Sequence, residues 1–151
     1  MFQSRLNKDF EDLDALDLFA GTGNISYELA SRGGRQITSV EIDFKCYEFI
    51  KKTIANLNIE GCKVIRNDVF LFLKICKVQF DLIFADPPYE MKDIEKIHRM
   101  VMDRSLLKPG GILVIEHGSK TNLSKLSNFI EQRNYGNVNF SIFECKIAEE
   151  K

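Results

Sequence analysis

The run Asp86-Pro87-Pro88-Tyr89 follows directly on the apolar stretch Phe80–Ala85 and sets a carboxylate, a proline-held carbonyl and an aromatic ring side by side. Proline fixes φ and removes the backbone donor, and it restricts the residue before it to extended conformations. The carbonyl before Pro88 is thereby directed away from any sheet ladder. A carboxylate beside such a carbonyl makes a clamp for the two protons of an NH₂ group. Tyr89 adds a flat face on which a base can stack, an interaction of about 1–3 kcal/mol. A rigid strand-to-loop turn with no ligand is the plainer reading of the same four residues.

A second cluster lies upstream. Asp17-Leu18-Phe19-Ala20-Gly21-Thr22-Gly23 is a glycine loop between a strand-like and a helix-like segment, a place where the backbone can approach a ligand and helix-terminal N–H groups can point at it. Position 26, where a dinucleotide loop of the form G-x-G-x-x-G carries its third glycine, is serine, so a dinucleotide is not the expected ligand. Glu41, in Val40-Glu41-Ile42-Asp43, lies close to the ~20-residue spacing at which an acidic residue meets a ribose in nucleotide-binding α/β folds. Asp43 reads as the cap of the next helix. At Asn67-Asp68-Val69, Asp68 is either an acceptor for an adenine amino group or a simple helix cap.

Lys92, Lys96 and Arg99 fall at helical spacing just after the proline run, and Lys120 and Lys125 follow the last long strand. They form either a phosphate-binding rim or a solvated helix face. His98 sits between apolar helix positions and reads as packing or surface. His117, at a strand end, either lines the pocket or caps a turn. The four cysteines contain no C-x-x-C pair, which argues against a zinc knuckle and against a disulfide framework. No metal site is expected. The formal net charge of −1 excludes a broadly basic nucleic-acid-gripping surface, so any RNA contact must be local. No apolar run is long enough to span a membrane, and residues 1–10 lack a signal-peptide layout; a cytoplasmic protein is expected.

These residues must be positioned by alternating elements. Strand-length apolar runs at 15–19, 36–41, 62–66, 80–85 and 111–117 alternate with helical stripes, the signature of βαβ units and a parallel sheet. The stripes are Ile25 and Leu29; Phe49, Ile50, Thr53, Ile54 and Leu57; Ile94, Ile97, Val101 and Met102; and Leu123, Leu126 and Ile130. Two β-rich stretches at 135–138 and 140–147 then read as an antiparallel pair closing the sheet edge, with 149–151 as a frayed tail. With 44% hydrophobic and 28% charged residues, the expectation is one domain over residues 1–151. Its expected fold is a Rossmann-like α/β fold with a seven-stranded, mostly parallel sheet, an antiparallel C-terminal hairpin and helices on both faces.

Taken together the motifs resemble class I S-adenosylmethionine methyltransferases, and in particular the RsmD-type family, guanine-N2 methyltransferases of small-subunit ribosomal RNA. The matching segments are Asp17 through Gly23, Glu28-Leu29-Ala30-Ser31-Arg32-Gly33, Val40-Glu41-Ile42-Asp43, Asp68, Asp86 through Tyr89, Leu107-Lys108-Pro109-Gly110-Gly111, Ile115-Glu116-His117 and Tyr135-Gly136. The resemblance implies that Asp17, Phe19, Ala20, Gly21, Thr22 and Gly23 hold the methionine part of S-adenosylmethionine. It places Glu41 with Ile42 at the ribose, and Asn67, Asp68 and Val69 at the adenine. Asp86, Pro87, Pro88 and Tyr89 would hold the target base. Beside what the resemblance implies, the spacing and position of Lys92, Lys96, Arg99, His117 and Lys120 offer them as the candidate contacts to RNA. The family carries a further N-terminal RNA-engaging segment that the sequence does not match, so a protein partner in its place is an added expectation beside the ribosomal RNA or small subunit. The alternatives are an adenine-N6 methyltransferase on DNA or RNA, and a non-catalytic methyltransferase-like scaffold.

Overall fold

The structure, a computed structural model, describes residues 10–147, with the side chain of Phe10 outside the description. The expectations for residues 1–9 and for the tail at 149–151 lie outside the described residues. After a short 3₁₀ turn at Phe10–Asp12, the chain runs β1 Asp14–Leu18, α1 Asn24–Ser31, β2 Gln36–Val40, α2 Phe44–Asn56, β3 Cys62–Ile65 and α3 Val69–Ile75. It continues through β4 Phe80–Ala85, α4 Glu95–Asp103, β5 Leu107–His117, β6 Phe129–Tyr135 and β7 Val138–Glu144. Among the described residues no helix is long and apolar enough to cross a membrane.

The sheet order is β3-β2-β1-β4-β5-β7-β6, parallel from β3 to β5 and antiparallel beyond. Period-two alternation divides its core between two faces. Leu16, Leu18, Ile83, Ala85, Leu113 and Ile115 pack with α3 and α4 through Leu73, Ile97 and Val101. Ala15, Leu82, Phe84, Ile112 and Val114 pack on the other side with Leu29 of α1. At the end opposite the glycine loop, Lys108 Nζ donates to Asp14 Oδ2 at 2.7 Å and to Asp81 Oδ2 at 3.2 Å, tying β1, β4 and β5 together. Arg35, then Lys108, hold the Asp14 carboxyl down to about 2.

Two expectations are corrected. The stripe Leu123, Leu126 and Ile130 is not a helix: residues 118–128 form turns, and Ile130 belongs to β6. Asn and Ser side chains there compete for the backbone. Asn122 Oδ1 accepts from both Ser124 N–H and Ser124 Oγ, and Asn128 adopts a φ of 66°. Leu123 and Leu126 still reach the core, from a loop. The terminal hairpin is shifted as well. Gly136 and Asn137 form its two-residue turn with Tyr135 paired to Val138, so Tyr135 ends the first strand instead of starting it. Glycine at the first turn position suits a tight hairpin of the II′ kind.

Candidate active site

Strand order reverses between β1 and β4, and open α/β sheets bind ligands at the carboxyl ends of the strands flanking such a switch point. The glycine loop, Glu41, Asp68 and Asp86 all leave the sheet at that edge. Register fixes their neighbours: Leu18 pairs with Val40 on one side and with Ala85 on the other.

Phe19 ends β1 in a left-handed conformation with φ 57°. Ala20 N–H then donates to Val40 O at 3.1 Å, and Gly23 N–H to Ala20 O at 2.9 Å, closing a tight turn around Thr22. Gly21 and Gly23 have φ of 59° and 89°, a region that side chains with a Cβ disfavour. A Cβ on Gly21 would meet nothing within 4 Å, so that side of the loop is open to a ligand. A Cβ on Gly23 would fall 2.6 Å from the Tyr27 hydroxyl and 3.1 Å from Ile50 Cγ1, so a side chain here adds displacement of Tyr27 to the strain of the left-handed backbone.

Glu41 braces the loop. Its Oε1 accepts from Gly21 N–H at 2.7 Å and its Oε2 from Asp43 N–H at 2.8 Å, while Asp43 caps α2 by accepting from Cys46 N–H at 2.9 Å. A carboxylate offers about four acceptor sites, so Glu41 retains capacity for a pair of hydroxyl donors. Ile42 beside it is exposed. Asn67 Oδ1 accepts from Asp68 N–H at 2.8 Å, and Asp68 Oδ1 accepts from Phe70 and Leu71 N–H at 2.9 and 3.0 Å. Asp68 is therefore a helix cap whose second oxygen is not engaged by that cap. The side chain of Val69 is buried in the core, so what it can offer a ligand is its backbone.

Asp17 lies beneath the loop, not on its surface. Only 2% exposed, it accepts from Ser26 Oγ at 2.8 Å, and Ser26 Oγ lies 2.6 Å from Ser39 Oγ. The serine that displaces a dinucleotide-type glycine thus joins β1, α1 and β2. Burial pushes the Asp17 carboxyl up to about 7, against the lowering hydrogen bonds from Ser26. Because the folded value lies above the unfolded one, its contribution to stability is complete below about pH 4 and is lost as pH rises through 7. The expected result is that the difference in melting temperature between Asp17→Asn and wild type moves in the variant's favour from pH 4 to pH 8. A pH-independent difference would contradict a buried, titrating Asp17.

On the substrate side, Asp86 N–H donates to Leu18 O at 3.4 Å and Met91 N–H to Pro88 O at 3.0 Å. Pro87 is buried, whereas Asp86 is exposed and Tyr89 is 79% exposed. They line one wall of a cleft of about 320 Å³ whose other walls include Ile94, Glu116, His117, Lys120 and Asn137. His117 combines both of its expected roles. Its Nδ1 donates to Gly118 O at 2.9 Å, which leaves Nε2 to accept from Ser141 Oγ at 2.7 Å, while the ring lines the cleft. His98 is core: its Nε2 donates to Ser127 O at 2.8 Å and its ring packs 4.7 Å from that of Phe143.

The basic set does not assemble as one helix face. Lys92 precedes α4. Arg99 pairs with Asp93 at 3.0 Å and Glu95 at 3.9 Å, and the Lys96 ammonium sits 4.6 Å from the Phe70 ring centre. Lys120 lines the cleft, and it shares an adjoining depression with Lys92. Glu116 is the site residue that sequence reasoning passed over. It is the penultimate residue of β5 and lies beside Asp86, because Ala85 pairs with Ile115. Burial first, then the hydrogen bond and charge of Asp86, push its carboxyl up to about 7. The available signal was a carboxylate closing an apolar strand at the ligand-binding edge.

The profile of the family described as "Conserved hypothetical protein 95" matches residues 1–144. The chain belongs to this family. Its relatives carry the RsmD name: the ribosomal RNA small subunit methyltransferase D of Buchnera aphidicola is 31% identical over 119 residues, covering 78% of this chain and 62% of that protein. The protein of the same name from Haemophilus influenzae is 27% identical over 137 residues, with 87% and 71% covered. A crystal structure of a candidate methylase from Haemophilus influenzae superposes with a TM-score of 0.82 at 26% identity, covering 91% of this chain and 89% of that one. The RsmD-family chain described here thus has the class I methyltransferase fold, and it spans about three fifths of the length of the Buchnera relative.

Proposed function

We propose that this chain transfers a methyl group from S-adenosylmethionine to the exocyclic N2 amine of a guanine in small-subunit ribosomal RNA, acting in the cytoplasm. One observation carries the reading: the D-P-P-Y carboxylate leaves the sheet beside the glycine loop and opens into a cleft of nucleobase size. The open side of Gly21 and the unused acceptor capacity of Glu41 fit the cofactor, with Glu41 at the ribose, Asp68 and Val69 at the adenine and the Phe19–Ala20–Gly21–Thr22–Gly23 turn at the methionine part. The bound cofactor supplies an electrophilic methyl group.

The protein's contribution is position and charge. The lone pair of an exocyclic guanine amine is delocalised into the ring. Accepting hydrogen bonds from its two N–H groups at Asp86 and at the Pro87 carbonyl favours a more tetrahedral nitrogen and stabilises the positive charge that develops on it as the methyl–sulfur bond breaks. Tyr89 stacks on the base. An amine inside a duplex cannot reach this cleft, so the target must be unstacked or flipped.

Calorimetric titration with S-adenosylmethionine tests the cofactor half. Wild type should bind saturably at one site, and Glu41→Ala should weaken binding by about 1–3 kcal/mol, the range for lost hydrogen bonds to a charged acceptor. Unchanged affinity in the variant contradicts the ribose assignment, and absence of binding by wild type contradicts the reading as a whole.

For the RNA, Lys120 lines the cleft and Lys92 shares the adjoining depression with it. Reversing both charges should weaken RNA binding and reduce the slope of log K against log salt by roughly one per lysine. Reversing Arg99, already neutralised by Asp93 and Glu95, should change that slope less. Equal slopes for wild type and the double variant would remove the two lysines from the interface.

A further inference from the structure

Two carboxyl groups reach the cleft from adjacent strands. The register Ala85↔Ile115 brings Asp86 and Glu116 off β4 and β5 side by side, and both line the cleft. The proposed clamp uses Asp86 and gives Glu116 no part. Of the other lining side chains, Ser119, Thr121 and Asn137 carry acceptors but lie outside the β4–β5 ladder that holds Asp86 and Glu116 together. Both ring nitrogens of His117 are committed to Gly118 O and Ser141 Oγ, Lys120 only donates, and Tyr89 presents a face.

Of the two ways to seat a guanine N2 amine between Asp86 and the Pro87 carbonyl, the one with the N1 edge on the Asp86 side turns N1–H toward the neighbour of Asp86 and keeps the N3 lone pair away from the carboxylates. We propose that Glu116 accepts this N1–H and thereby selects guanine over purines that present a lone pair at N1. The inference rests on the cleft being the target-base pocket of the proposed reaction, and it names the residue that sets base identity there. Burial and the adjoining Asp86 hold the Glu116 carboxyl up at about 7. A base that presents a row of N–H donors supplies both carboxyl groups with partners. Adenine offers no such row, since its amine is flanked by acceptors. Sites built to hydrogen-bond a particular group reject analogues that lack it far more strongly than sites that read shape alone.

2-Aminopurine tests this, because it keeps the reactive 2-amino group and replaces N1–H by a lone pair. Two pyrimidine oligoribonucleotides are used, one with a central guanosine and one with 2-aminopurine, whose fluorescence reports stacking in the cleft. Competition between them gives a ratio of dissociation constants for the full chain, and methyl transfer to each is measured in parallel. Wild type should prefer guanine at least tenfold. Glu116→Gln, whose amide can donate to N1 as well as accept from it, should bring the ratio within about threefold while S-adenosylmethionine affinity stays unchanged. Glu116→Asp, which keeps the acceptor, should retain a guanine preference and guards against a folding defect in the amide variant. A Glu116→Gln ratio equal to wild type, or no wild-type preference, overturns the proposal. Failure of wild type to bind either oligonucleotide overturns it together with the base-pocket reading. A guanine preference lost in Glu116→Gln, without methyl transfer to any RNA, supports the proposal as a binding determinant and overturns the proposed reaction alone.

Discussion

Asp86→Ala is expected to lower single-turnover methyl transfer by about 10²–10³-fold or more, the range for removing one group aimed at transition-state charge, while S-adenosylmethionine affinity stays within a few-fold. The two effects separate because the carboxylate and the loop bracing are independent. Asp86 is tied to the sheet through its own N–H, which donates to Leu18 O; that bond survives truncation of the side chain. Glu41, which braces the glycine loop, bonds to Gly21 and Asp43 and not to Asp86. A loss in rate with binding preserved marks an interaction realised at the reacting amine. A rate within threefold of wild type would mean that the carboxylate is not part of the clamp, and a parallel loss of cofactor affinity would mean that Asp86 shapes the cofactor site instead.

Gly23→Ala should cost more than a surface substitution in stability and should abolish detectable cofactor binding. The residue is left-handed, which costs about 1–2 kcal/mol for a non-glycine residue. The added Cβ would also lie 2.6 Å from the buried Tyr27 hydroxyl and 3.1 Å from Ile50, an overpacking of about 1–3 kcal/mol. Relief by moving the loop would break the Gly23 N–H bond to Ala20 O and carry Gly21 away from Glu41. Gly21→Ala is the matched comparison: it carries the same backbone strain but points into open space, so it should fold better than Gly23→Ala and lose cofactor affinity through occupied space. Chemical denaturation of both variants with titration of S-adenosylmethionine checks this. Equal stabilities would show that the contact with Tyr27 is relieved elsewhere.

The sequence was most legible where one physical signal dominated. Buried parallel strands such as Phe80–Ala85 are continuous apolar runs, and the glycine loop and D-P-P-Y announce themselves by backbone restriction. The cap at Asp43 was legible for the same reason: its side chain competes for a helix-start N–H, as Cys46 shows. Legibility failed where context decides. Leu123, Leu126 and Ile130 have helical spacing, yet the side chains of Asn122 and Ser124 capture the local backbone and Phe129 pairs with Phe143 across the hairpin. Arg99 and Lys96 looked like free cations because spacing does not reveal the carboxylates of Asp93 and Glu95 or the ring of Phe70. Asp17 stands in a ligand-type motif, but β1 alternation turns it inward to Ser26. Glu116 carried a local signal, a carboxylate closing an apolar strand, but its place beside Asp86 needed the β4–β5 register.

The most direct test of the central claim is to incubate this chain with methyl-labelled S-adenosylmethionine and small-subunit ribosomal RNA from cells that lack the gene. The label is then located by mass spectrometry of nucleosides and RNA fragments. The account predicts label in N2-methylguanosine at a single position, absent when Asp86→Ala replaces wild type. Label in N6-methyladenosine, or no transfer to the RNA under conditions where the cofactor is demonstrably bound, would contradict it.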